Sequence, residues 1–429
     1  MATKKPVQAP LSAIQRPTRE ATVVQDGLFG NLQPTWQDHY WGMPDFKMGD
    51  ASAQYRIVVN FMTKADLEDF CARLGTKGIT TSSDTMFWPQ QKRMNGEYMY
   101  ADIGKPVQPK YPICIPSKGR YDVQITGKLL DEMGIHYRFF VEQQEYEAYK
   151  SRYGEDKVVS MPFSNLGQGS IPARNFIWDW AEKNGHSRHW VVDDNITKFS
   201  RMYNNRRVRC KSSGLFRAME TFVDRYENIA LAGPHDQGFI VDRDADTSPI
   251  HWNSRVYSCT LVNTNLQLEE RWRGRYNEDT DLSLRLLKLG YCTVLFKSLL
   301  MNKGATAYSK GAKPLKGGNT DNVYNTGDHR LAFAQSLKDQ HPDVVDIVWK
   351  FNRYHHQVNY KPFIKNKPIL KAGVTKVKPC NEFGMSLMYD DSLTESQIEA
   401  LRKNNGDPID DNIETSNDGT DEFDFDFEE

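Results

Sequence analysis

Cysteine is scarce in this 429-residue chain, with six residues: Cys71, Cys114, Cys210, Cys259, Cys292 and Cys380. None sits in a C-x-x-C pair, which argues against a disulfide frame or a thiolate zinc site and suits reduced, scattered thiols. Long apolar runs are missing as well. No stretch approaches the roughly 18 residues a membrane helix requires. The opening MATKKPVQAP carries lysines with no apolar segment behind them, so neither a signal peptide nor membrane association is expected and the location reads as cytoplasmic. Basic residues are absent only locally: Gly406 to Glu429 holds 11 Asp and Glu and no Lys or Arg.

What is present supports a folded body. Hydrophobic residues make up 39% and aromatics 12%. That is enough for a sizeable core and excludes collagen, coiled coil and disorder throughout. The formal net charge of −1 hides a division, because residues 1–405 carry 55 basic against 45 acidic side chains, a net of +10. A basic body suits a polyanionic partner, and an acidic tail can compete for it. Plain solubility is the alternative reading of the same charges.

The pattern changes along the chain. Residues 1–30 are polar with Pro6, Pro10 and Pro17, as in a flexible arm. In 31–108, Ile57, Val59 and Phe61 alternate at strand period, and Thr63 with Asp66 can cap a helix. Leu67, Phe70, Cys71 and Leu74 give that helix an apolar face, and Thr85–Trp88 reads as a second short strand. This predicts a small β-α-β accessory module. Its segment Gly42–Phe46 (GMPDF), together with the helix and the run MFWP, resembles a module found beside phage DNA-modifying and ParB-like proteins; a packing role is the alternative.

From Tyr111 strands and helices alternate. Strands are predicted at Tyr111–Ile115, Tyr137–Val141, Lys157–Met161 and His189–Val192. The helices between them close at Gly134, Gly154 and Gly185. That alternation implies a mostly parallel sheet with helices on both faces, binding ligands at the carboxyl ends of its strands.

Polar residues stand at three of those ends. Pro116, Ser117, Gly119 and Arg120 follow the first strand, Glu142 follows the second, and Asp193-Asp194-Asn195 follows the fourth. An arginine can hold a pyrophosphate, and paired carboxylates can hold a divalent ion. A surface ion pair and a solvated turn are the ordinary alternatives. Arg174 and Asn175 lie in the first turn of the helix entered at Pro172. Asn277-Glu278-Asp279-Thr280-Asp281 opens another helix, where acidic residues serve either as caps or as a catalytic base.

Taken together, residues 109–305 resemble the GT-A glycosyltransferases, especially the inverting family-2-like enzymes, and the domain is expected to span 109–330. The carriers are IPSKGR after the first strand, ARN at 173–175, VVDDN at 191–195 and NEDTDLSLRLLKLG at 277–290. More narrowly, YPICIPSKGR, GQGSIPARNFIW and WVVDDN resemble the TET-associated glycosyltransferases of bacteriophages, which are linked to adding sugars to 5-hydroxymethylpyrimidines in DNA. The resemblance implies a GT-A fold, Rossmann-like, a UDP-sugar donor and Mn²⁺ or Mg²⁺ on its phosphates. It places Asp279 or Glu278 as base, and Asp194 and Asn195 on the metal. The donor falls to Pro116, Ser117, Arg120, Glu142, Arg174, Asn175 and Asp193. The D-x-D position departs from the family by ending in Asn195. His235, His251, His355 and His356 are open candidates for a further metal ligand, and Lys316–Asn319 for a mobile loop over the diphosphate. The resemblance also implies a phage-encoded enzyme in the bacterial cytoplasm, with hydroxymethylated DNA as partner.

A DNA acceptor requires phosphate contacts. Arg206, Arg207, Arg209 and Lys211 follow the Asp-Asp-Asn turn, and Arg271, Arg273 and Arg275 precede Glu278, with Tyr203, Trp272 and Tyr276 among them. Beyond the enzyme domain, 331–371 is expected as a helical extension and 372–429 as a linker with a disordered acidic tail. The other readings are a GT-A enzyme with a non-DNA acceptor and a nucleotidyltransferase.

Overall fold

A computed structural model describes residues 36–48, 59–74, 98–240, 248–274, 277–304, 329–350 and 353–389. The chain divides into two units, 1–39 and 40–429. The described part of the first is residues 36–39, with one 3-10 turn at Trp36–Asp38.

The second unit is built on a twelve-stranded sheet. Its strands are β1 (Tyr98–Asp102), β2 (Ile113–Pro116), β3 (Arg138–Glu142), β4 (Val158–Met161), β5 (Arg188–Val192), β6 (Ile196–Tyr203), β7 (Arg206–Lys211), β8 (Ile229–Asp236), β9 (Ile250–Trp252), β10 (Cys259–Asn263), β11 (Cys292–Lys303) and, late in the chain, β14 (Met385–Tyr389). A separate hairpin pairs β12 (Val345–Lys350) with β13 (Arg353–Val358). The helices are α1 (Lys64–Leu74), α2 (Ile125–Glu132), α3 (Tyr146–Tyr153), α4 (Ile171–Lys183), α5 (Gly214–Asp224), α6 (Glu278–Lys288) and α7 (Arg330–Gln340).

β4, β3, β2 and β5 pair parallel in that order. β10 runs antiparallel between β5 and β8, and β8 is parallel to β11, so six of these seven strands point the same way. Past β11 the sheet continues antiparallel through β6 and β7; β1 then pairs parallel with β7, and the edge strand β14 antiparallel with β1. The strand–helix alternation read between residues 111 and 192 is present element for element.

The cause is local. All five residues of β5 are buried, as a strand covered on both faces requires. In α4, Pro172 stands in the first turn and Ile177, Trp178 and Ala181 face the core. Gly185, at φ +73°, ends that helix in a conformation only glycine takes without strain, and the next amide, His186 N–H, donates back to Ala181 O at 2.9 Å.

Three expectations need revision. In the region expected as a β-α-β module, α1 is present, and Thr63 and Asp66 bond reciprocally across its start (Asp66 N–H to Thr63 Oγ1, 3.2 Å; Thr63 N–H to Asp66 Oδ2, 2.9 Å). Val59–Phe61, however, forms no strand, Ile57 and Thr85–Trp88 lie outside the described residues, and β1 joins the main sheet. The segment around GMPDF packs against the main sheet and the end of α5: Arg225 covers the Trp41 ring at 4.0 Å, and the Tyr40 hydroxyl donates to Ser298 Oγ at 2.8 Å.

The extension 331–371, expected as helical, is α7 followed by the β12–β13 hairpin and a 3-10 turn at Lys361–Lys365. Alternation at Val345, Ile347 and Trp349, and at Tyr354, His356 and Val358, is the strand period that decides it. Its root, Val345 and Val358, packs with Leu337 against Leu284 and Leu287 of α6. Within 372–429, β14 pairs antiparallel with β1. Residues 390–429, with residues 1–30 and Lys316–Asn319, lie outside the described residues.

Candidate active site

The carboxyl ends of β2, β3 and β5 come to one edge of the sheet and form two polar groups. In the first, Asp194 is buried. Its Oδ1 is bonded by Arg120, and its Oδ2 accepts from Ser117 Oγ at 2.6 Å. The Ser117 hydrogen is thereby committed, so the hydroxyl accepts from Gln124 Nε2 (2.6 Å) and from the Tyr149 phenol (2.8 Å). Burial pushes the Asp194 carboxyl up, against the pull of Arg120 and Ser117.

The same edge holds Glu142. Lys118 Nζ donates to both of its oxygens (2.8 and 2.9 Å), while Asn165 N–H and Gln144 Nε2 donate to Oε2 at 2.7 Å each. Burial alone would raise this carboxyl; the Asn165 amide, Lys118 and Gln144 hold it below its ordinary value. Glu145 fixes the loop backbone by accepting from Gly119 N–H at 2.8 and 3.0 Å. The first loop, residues 116–120, is therefore positioned by the end of β3 and by the turn that leads from it into α3.

The second group centres on Arg174 of α4, which is 3% exposed. Its Nη2 donates to Asp193 Oδ1 and its Nη1 to Asp279 Oδ1, both at 3.0 Å, and its Nε lies 3.6 Å from Glu278 Oε1. The guanidinium also covers the Trp272 ring at 4.7 Å. Burial works against the Arg174 charge, but Asp279, Asp193 and Glu278 outweigh it and keep it firmly protonated. Ser170 Oγ donates to Glu278 Oε1 at 2.6 Å. Asn175 clasps the Trp272 backbone, accepting from its N–H and donating to its carbonyl at 2.9 Å each, which pins the loop before α6 onto α4.

Three carboxylates thus share one guanidinium, with the Lys303 ammonium as a further positive charge near Asp279. Desolvation comes first, and Glu278 and Asp193 add repulsion, so Asp279 is pushed up to about 7 despite Arg174. The second oxygens of Asp193 and Asp279 carry no hydrogen bond among the described residues. A carboxylate titrating near neutrality at a helix start, with one free oxygen, is suited to accept a proton.

The expected metal ligands are not gathered as a cage. Asp194 is engaged by Arg120 and Ser117, and the Asn195 amide donates to Gly304 O at 2.9 Å. Among the described residues no three His, Cys, Asp or Glu side chains could hold an ion. What fits a divalent ion is charge: the carboxylates around Arg174 outnumber the cations, and Asp193 keeps a free oxygen.

The four histidines separate. His235, His251 and Lys297 are neighbours; burial leads in lowering His235 to about 3 and His251 to about 4. His355 lies on β13. His356 Nδ1 stands 3.3 Å from Asn277 Nδ2, immediately before Glu278.

Several of the arginines expected on DNA are engaged by partners within the chain. Arg271 bonds Asp179 and Glu182, and Arg273 bonds Asp281 and Glu270. Trp272 is buried beneath Arg174, where no base can reach it. On β7, Arg207 donates to Ile240 O at 2.7 Å and Lys211 pairs with Glu132 at 3.0 Å; Arg209 lies 3.9 Å from the same carboxylate, and Arg206 is half-buried. Arg275 and Tyr276 lie outside the described residues. Lys118, Tyr149, Ser170 and Lys303 complete the edge. Lys118 and Ser170 lie within the quoted motifs without a role assigned to them, whereas Tyr149 of α3 and Lys303 of β11 carried no signal, because each reaches the site from a separate element.

A polar carboxyl edge on a mostly parallel α/β sheet is the layout of an enzyme that binds its ligand outside the strand ends. The family model of the TET-associated glycosyltransferases matches residues 111–312, the span that holds both polar groups. Over that span the chain resembles those enzymes, and the match supports a glycosyltransferase. No curated protein matches the chain. Among the described residues, no helix is long and apolar enough to cross a membrane.

Proposed function

We propose that the chain is a GT-A glycosyltransferase, encoded by a phage and acting in the bacterial cytoplasm. It transfers a sugar from a UDP-sugar to the hydroxymethyl group of 5-hydroxymethylcytosine, or a related hydroxymethylpyrimidine, in DNA. The observation that carries this reading is Asp279: a carboxylate raised to about 7, at the start of α6, with one oxygen free and Arg174 behind it.

In the proposed step Asp279 takes the hydroxyl proton as that oxygen bonds to the anomeric carbon. The bond from the anomeric carbon to UDP breaks and its electron pair leaves with the diphosphate, inverting the centre. Arg174 holds Asp279 and Asp193 in place, while Arg120, through Asp194, fixes the first loop at the nucleotide side. Asp193 is the residue that would hold Mn²⁺ or Mg²⁺. When bound, that ion supplies charge neutralisation to the leaving diphosphate.

The intramolecular ion pairs of Arg271 and Arg273 favour, as a second reading, the same enzyme with a smaller acceptor. Incubation with a panel of UDP-sugars and DNA containing cytosine or 5-hydroxymethylcytosine, read by nucleoside mass spectrometry, tests both. The expected result is a hexose increment on the hydroxymethylated nucleoside alone. A sugar moved to free nucleoside and never to DNA would support the second reading.

A further inference from the structure

One face of the β12–β13 hairpin runs from the core to solvent. Val345 pairs with Val358, Ile347 with His356 and Trp349 with Tyr354, so alternate residues place all six on the same side. The first rung is buried against α6 and α7. In the second, the His356 ring meets Asn277, the residue before Glu278. The third is open: Trp349 is 59% and Tyr354 42% exposed, and their rings pack edge to face at 4.7 Å.

Two residues of strand separate the rung at the start of α6 from this aromatic pair, a reach of about 7 Å. That is about two stacked bases. The last rung, Lys350 opposite Arg353, brings two cations to the tip on the other face. Lys350 bonds the neutral Gln357 Oε1 at 3.3 Å, so no hydrogen-bonded carboxylate neutralises it among the described residues.

Exposed aromatics on a hairpin, with cations on its opposite face at the tip and the start of α6 near its second rung, fit one occupant: nucleic acid bearing the acceptor. We propose that the hairpin is a DNA-binding element, with Trp349 and Tyr354 stacking on a base beside the modified one and Lys350 and Arg353 meeting phosphates. This inference rests on the proposed DNA acceptor. It locates acceptor binding on a segment distinct from the β7 and 271–275 arginines.

The test uses the full chain and a fluorescein-labelled duplex containing 5-hydroxymethylcytosine. For Trp349→Ala/Tyr354→Ala, DNA affinity by anisotropy is expected to fall at least about tenfold and KM for DNA to rise alongside. Donor KM and melting temperature should hold, and Trp349→Phe should retain most of the affinity. Equal DNA affinity of wild type and double variant overturns the inference. If wild type transfers sugar to DNA and the variant keeps its KM for DNA, the hairpin inference alone fails. If wild type transfers sugar to no DNA, the proposed function fails, and anisotropy still decides whether the hairpin binds it.

Discussion

Asp279 and Asp281 stand two residues apart on α6, yet their surroundings are opposite. Asp279 shares one guanidinium with Asp193 and Glu278 and is raised to about 7, with burial as the main cause. Asp281 is one carboxylate among Arg273, Arg285 and His341, which bond it at 3.1, 2.8 and 2.9 Å. Against the same desolvation, those partners hold it below its ordinary value. A buried carboxylate with more positive partners than it needs is a tether for the helix. One with fewer is a proton acceptor, or the seat of a missing cation.

That contrast fixes the order of expected effects. If the deficit of positive charge around Arg174 is met by a divalent ion, excess EDTA should abolish transfer; full activity in EDTA would remove the ion from the proposal. Asp279→Asn keeps the shape but cannot accept the proton. Turnover should fall about 10²–10⁴-fold with donor and DNA binding nearly unchanged. A retained rate would move the base to Glu278. Asp281→Asn should act on stability instead, by about 1.5–3 kcal/mol in chemical denaturation, because it replaces a buried carboxylate bonded by Arg273, Arg285 and His341 with a neutral amide. A drop in kcat of the folded fraction would break the distinction.

Titration sharpens the comparison further. Transfer by wild type should rise with pH through about 7 as Asp279 loses its proton, roughly tenfold per unit on the acid limb. The two residues also pull stability in opposite directions. Asp279 titrates higher in the folded chain than its ordinary 3.8, so the folded state holds the extra proton and stability falls as pH rises from about 4 to 7. Asp281 titrates lower, so its contribution is present above 3.8 and is lost as pH drops through its depressed value. Urea titrations of the two Asn variants against wild type across this range would read each slope separately.

The smallest effect concerns compensation at the scale of the chain, a body of +10 against a tail with 11 acids. Truncation at Gly406 should tighten DNA binding a few-fold at low salt and not at high salt. Equal affinity at every salt concentration would reject competition by the tail.

Much of this is legible in one dimension. The alternation from Tyr111 to Val192 marks the parallel strands, because period, helix-ending glycines and buried β-branched runs are local properties. It also places Ser117, Glu142 and Asp193 at strand ends, since a polar residue directly after an apolar strand can hardly sit elsewhere. The hairpin at 345–358 escapes that reading although its period is present, because the neighbouring α7 pattern dominates the region. Which carboxylate does what is not legible. Asp193 and Asp194 are adjacent in sequence, but the turn between β5 and β6 sets one against Arg174 and the other against Arg120. Arg271 and Arg273 read as DNA contacts until the fold sets Asp179, Glu182 and Asp281 beside them. Sequence alone determined the elements and the residue types at the sheet edge. Tertiary structure decided the pairing of charges, because a carboxylate's proton affinity depends on burial and on partners that the chain brings from as far as 105 residues away.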